Sequence, residues 1–150
     1  AEIIALGHPD PGAPDRPSEA ETARIAAAVR RHGLTRLVTC WRGDPHVDHA
    51  AGARWSARLC RALGLPDPVE APVWGRFVDT PPFDGQRLVR FHAPAFHEAK
   101  SRAIAAHRSQ MGPLVPDDPD GFVMTPETQA HFRNHAELFL LGPDHGLSHG

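Results

Sequence analysis

At 150 residues the chain is long enough for one domain with a buried core. A net charge of −2, with both signs mixed along the chain, leaves no basic footprint for nucleic acid. No apolar run approaches the length of a membrane span and no signal peptide is visible. Cys40 and Cys60 stand far apart in apolar contexts, which predicts buried free thiols in a reducing, cytoplasmic setting.

In chain order, residues 2–6 form a short apolar stretch that predicts a strand. Gly7-His8-Pro9-Asp10-Pro11-Gly12 continues it as a loop that cannot be helical. Ser18 with Glu21 reads as a capping box. It opens an alanine-rich helix over 19–32, with Ile25 and Val29 on its buried face and Gly33 as its stop. Residues 36–41 are rich in strand formers. A second helix follows from His49 to Leu63, with Ala50, Ala53, Ala57 and Cys60 down one side and Gly64 ending it. Strand and helix alternating in this order predict a parallel sheet.

Val69 to Phe77 is a further apolar segment, in which Pro72 argues for an edge position or a bulge. A turn over 81–85 leads to a strand over 87–92. A helix over 95–111 then carries Phe96, Ala99, Ala103 and His107 on one stripe, which predicts a core position for His107. The loop over 112–124 is rich in proline and aspartate, but Asp117, Asp118 and Asp120 lack the spacing of a calcium loop. Thr125-Pro126 caps a short helix to about residue 135. Residues 137–141 read as a last strand, and 142–150 as a flexible tail.

Eleven histidines tilt the chemistry toward metal binding or proton transfer. The densest stretch is Asp44-Pro45-His46-Val47-Asp48-His49, with two histidines and two aspartates in six positions between a strand and a helix. Ligands of open α/β sheets bind at such strand ends. Both rings can face one pocket there, one holding a metal and the other stabilising charge or moving a proton, while a carboxylate fixes a ring. The same residues also read as a plain turn capping a helix.

Asp44 to Gly52 resembles the second signature of the PIG-L/LmbE-like zinc-dependent deacetylases. Lys100 to Gln110 is similar to that family's late helix with its His-x-Ser-Gln ending. Leu6-Gly7-His8-Pro9-Asp10 resembles its Leu-Gly-x-Pro-Asp loop, and Pro72-Val73-Trp74-Gly75 a segment found in part of it. The resemblance spans roughly residues 5–140. It implies a Rossmann-like, three-layer α/β domain with a mainly parallel sheet. It also implies zinc and the hydrolysis of an N-acetyl group on an amino sugar or glycoconjugate by metal-activated water. Carried onto this chain, His49 matches the zinc ligand and His46 the residue that stabilises the oxyanion or donates a proton. Asp48 matches the carboxylate beside them that orients an imidazole, and Asp44 is assigned to substrate binding next to the pocket.

The family's first signature, Ala-His-Pro-Asp-Asp-Glu, supplies two further zinc ligands and the general base, and this sequence lacks it. His8-Pro9-Asp10 is no substitute, because the acid required three positions after the histidine is Pro11. The chain opens on Ala1 rather than Met, so residues 1–141 are expected to be the C-terminal part of a deacetylase domain. Two rivals stand beside that reading. One is a metal-dependent hydrolase of a different amide or ester, and the other a non-catalytic binding module that keeps the fold. Oligomeric state has no signature in the sequence.

Overall fold

A computed structural model describes residues 2–79, 81–111, 122–143 and 145. The expected flexible tail and the Asp117–Asp120 loop lie largely or wholly outside these. The chain divides into two compact units, residues 1–89 with 138–150 and residues 90–137.

In the first unit, α1 (Glu19–Arg31) starts where the capping box predicts. The Ser18 hydroxyl accepts from the Glu21 amide, and the Glu21 carboxylate accepts from the Ser18 amide at 2.7 Å. β1 (Val38–Cys40) follows, then α2 (Val47–Leu63) and β2 (Val69–Ala71). Gly64 ends α2 in the left-handed conformation at φ +66°, which a side chain would strain. β1 and β2 pair in parallel, with Thr39 opposite Glu70, so α2 is the crossover of a strand–helix–strand unit. Ala26, Val29 and Leu59 form the centre of the α1/α2 core, with Ile25, Leu37, Leu63 and Leu65 packed against it.

β3 (Arg87–Phe91) and β4 (Glu137–Leu141) complete a four-stranded sheet in the order β1-β2-β4-β3. The fold is therefore mixed α/β. β4 runs antiparallel to β2, with Glu70 opposite Leu140, which corrects the expectation of a mainly parallel sheet. β2 is an interior strand, against the edge position inferred from Pro72. The proline lies just past the strand's end, where no ladder amide is required.

Residues 2–6 form no strand. Ile3 is 92% exposed, and an apolar run without a neighbouring strand gains nothing from extension. α2 buries Ala51, Ala53, Leu59 and Cys60, so only Ala53 and Cys60 of the expected stripe are fully covered. Both cysteines are free thiols, Cys60 buried and Cys40 half-buried; burial pushes both thiols up.

In the second unit, α3 (His97–Ala106) is shorter than predicted and is flanked by single 3-10 turns. Its expected stripe is turned outward. Phe96, Ala99, Ala103 and His107 are exposed, and Lys100, Ser101 and Ile104 are the half-buried positions. His107 is therefore not a core residue; it follows the helix end with φ −77° and ψ 58°. Lys100 donates to the His135 carbonyl at 3.0 Å and pairs with Glu137 at 2.5 Å. α4 (Pro126–Asn134) is capped by Thr125, whose hydroxyl accepts from the Thr128 amide. Among the described residues, no helix is long and apolar enough to cross a membrane.

Candidate metal centre

Parallel pairing places the segments that leave β1 and β2 side by side. The first carries Asp44 to His49 and the second carries Val73 to Gly75. Asp44 joins them. Its Oδ2 accepts from the Val73 amide at 2.8 Å and from the Gly75 amide at 3.1 Å, while Oδ1 accepts from the His46 amide at 3.3 Å. Oδ1 also lies 2.9 Å from His49 Nδ1. Burial pushes the Asp44 carboxyl up, but the amides of Gly75 and Val73, the His49 ring and the His46 amide outweigh it and hold the group below its ordinary value. The carboxylate is thus ionised near neutral pH, its side chain is 0% exposed, and its lone pairs are in use. Asp44, expected at the pocket as a substrate-binding residue, is enclosed among these donors in the structure.

The carboxylate that meets a His49 ring nitrogen is Asp44, whereas the resemblance implied such a role for Asp48. Asp48 is held by a different loop. Its oxygens accept from the Ala13 amide at 2.9 Å and from the Gly12 amide at 3.1 and 3.2 Å. The Ala13 amide is the largest cause of a carboxyl held below its ordinary value, opposed by desolvation and helped by the Gly12 amide and the two nearby histidines. Asp48 also occupies the first turn of α2, where a negative charge complements the helix dipole.

α2 begins two residues earlier than predicted because His46 serves as its N-cap. The Asp48 amide donates to His46 Nδ1 at 3.3 Å. A backbone amide can only donate, so Nδ1 must be the accepting nitrogen and the neutral ring carries its proton on Nε2. That nitrogen lies 3.4 Å from Oδ1 of the exposed Asp10. His49 has the opposite arrangement. Its Nδ1 faces the ionised Asp44, so Nδ1 carries a proton, and in the neutral ring the Nε2 lone pair is left available. The two ring centroids are 4.7 Å apart. Two neighbouring imidazoles are therefore set as unlike partners, one with a lone pair and the other with an N–H to give.

Asp10, His46 and Asp48 each have a possible ligand atom within 4.8 Å of the others; His49 is not part of that group. Asp10, Gly12 and Ala13 were read from the sequence as a loop, and nothing local marks them as neighbours of the motif. The only hint is that this loop cannot be helical and must settle against something. His8, beside them, turns away to pair with Glu21 at 2.6 Å.

Trp41 closes the floor behind Asp44. The residue is 2% exposed, and its Nε1 donates to Gln86 Oε1 at 3.2 Å. Gly43 and Gly75 pack onto the indole so closely that a Cβ on either would sit 2.6 Å from a ring atom. Next to it the buried Glu70 accepts from the Arg42 amide at 2.9 Å and from Arg42 Nε at 2.6 Å. Comparison with known protein families, with curated proteins and with solved structures finds no match to this chain.

Proposed function

We propose that the chain is part of a zinc-dependent hydrolase that removes an N-acetyl group from an amino sugar or glycoconjugate. The observation that carries the metal-dependent reading is the unlike pair of imidazoles. A histidine whose Nδ1–H is held by a buried carboxylate presents Nε2 as a ligand, the usual support of a zinc-bound imidazole. The motifs shared with the PIG-L/LmbE-like family favour the N-acetyl substrate. The imidazole nitrogen of His49 suits zinc, whereas a catalytic site normally takes three protein ligands and His49 is one. Zinc, when bound, supplies Lewis acidity toward a carbonyl and lowers the pKa of a water. His49 would hold the ion, and Asp44 sets the ring's orientation and tautomer. His46 would offer its Nε2–H to the charge that develops on the amide oxygen, or pass that proton to the leaving amine.

Zinc titration and an N-acetyl-sugar hydrolysis assay test this. His49→Ala is expected to abolish zinc binding. His46→Ala is expected to keep the ion and lower turnover by roughly a hundredfold or more. Equal loss of zinc in both variants would sink that division of roles. Zinc and turnover that appear only once upstream sequence is restored support this reading, and a longer chain that takes up no metal either favours the non-catalytic binding module.

A second reading rests on the Asp10–His46–Asp48 group. His46 Nε2 and Asp10 Oδ1 lie 3.4 Å apart, close enough that both could ligate one ion. Ligation there requires a lone pair on Nε2, so His46 must move its proton to Nδ1 and release the α2 cap. If Asp10→Asn removes zinc while His49→Ala retains it, this second site replaces the first.

A further inference from the structure

We infer that a cleft along α2, ringed by Arg42, Arg54, Arg58 and Arg61, binds a dianionic phosphate group, either free phosphate or a phosphomonoester. This site is independent of the hydrolase reading. It has a volume of about 200 Å³ and is completed by Ala53 and Ala57, with no acidic residue in its lining. Residues 54, 58 and 61 lie at helical spacing, so three guanidinium groups share one side of α2. Arg42 comes from the connection between β1 and α2. The two alanines keep the floor of the cleft shallow and unobstructed.

The charges in this cleft are not balanced. Arg42 is paired with the buried Glu70, and Arg54 with Asp15 at 2.9 Å. Arg58 has only the Asp15 backbone carbonyl, at 3.0 Å. Arg61 has no carboxylate or hydrogen-bond partner among the described residues. Two of the four positive charges are thus uncompensated, which matches the charge of about −2 on a phosphate near neutral pH. Planar guanidinium forks suit its oxygens, and several can bond one group at once.

A solvated helix face accounts for the spacing of residues 54, 58 and 61, and the helix dipole accounts for a cation in the last turn. Neither places Arg42 there; its pair with Glu70 holds it, and so brings a fourth guanidinium to the same cleft. Nor do they explain why the Asp15 segment tethers both Arg54 and Arg58 at the rim. That tether orients two donors before any ligand arrives and lowers the entropic cost of binding.

The test is a titration of the 150-residue chain with inorganic phosphate at constant ionic strength, followed by calorimetry and by the amide NMR shifts of residues 53–61. Saturable one-to-one binding is expected, with no effect of chloride at matched ionic strength. Arg58→Gln and Arg61→Gln are each expected to weaken it roughly tenfold or more. Arg61 has no side-chain partner to lose among the described residues, so its variant tests the site with little cost to the fold. Arg24→Gln, on α1 and outside the cleft, is expected to leave binding unchanged. Phenyl phosphate binding tighter than inorganic phosphate identifies a monoester as the ligand, and the reverse order identifies free phosphate. Shifts that never saturate, displacement by chloride, or equal weakening in Arg24→Gln would show an ordinary basic helix face and overturn the proposal.

Discussion

Asp44 illustrates how a single carboxylate can organise a site without meeting a ligand. It satisfies the amides of Val73 and Gly75 and fixes the His49 ring from a position closed to water. Asp44→Ala leaves those donors buried and unpaired, and a loss of about 2–4 kcal/mol is expected in urea unfolding. Because its carboxyl is held below the ordinary value in the folded state, its contribution is present above the unfolded pKa and is lost as pH falls through the folded one. Stability should therefore fall below about pH 4, and less steeply in Asp44→Ala than in the parent. The opposed tautomers of His46 and His49 can be read directly by nitrogen NMR of the imidazoles near neutral pH. Nε2 is expected to be the unprotonated nitrogen of His49, and Nδ1 that of His46. The same tautomer in both rings would remove the basis for giving them different roles. Gly43 and Gly75 make a steric case of the same kind. Alanine at either is expected to destabilise by about 1–3 kcal/mol, and in a Trp41→Leu background most of that loss should vanish, as a double-mutant cycle would reveal.

Elements are most legible where their ends are marked by local chemistry. Ser18, Glu21, Gly64 and Thr125 act on their own few residues of backbone, and α1, α2 and α4 begin or end beside them. Ser18→Ala is expected to lower stability by about 1 kcal/mol, and Gly64→Ala by about 1–2 kcal/mol. Nothing lies within 4 Å of a Cβ at Gly64, so the second value isolates backbone strain. Thermal or urea unfolding measures both. Where an element depends on a distant partner, the pattern misleads. Residues 2–6 have the composition of a strand and no sheet edge to join. The stripe on α3 follows helical spacing yet faces outward, because periodicity identifies a helix without saying which of its sides is covered. His46 was read as loop, since histidine is an uncommon N-cap. Its ring takes that position by accepting from the second helical residue, as an asparagine or serine would.

On the scale of the molecule, the alternation of strand and helix pointed to the parallel β1–α2–β2 unit, and the candidate site lies just past the ends of β1 and β2, where open α/β sheets bind ligands. The antiparallel return of β4 into the middle of the sheet had no local signal. A strand's direction relative to its neighbour is settled by the path of the intervening chain, and here 65 residues separate β2 from β4. The candidate site divides in the same way. Asp44, His46, Asp48 and His49 occupy one short stretch at a strand–helix junction, so their chemistry was visible in the order of residues. Which carboxylate would serve which ring was not. That outcome depends on amides at Val73 and Gly75, 29 and 31 residues beyond Asp44, and on amides at Gly12 and Ala13, 36 and 35 residues before Asp48. Hydrogen-bond donors arriving from other loops decide which lone pairs are used and which remain. Residue identity dictates what a side chain can do, whereas its role follows from neighbours that only the folded chain brings within about 3 Å.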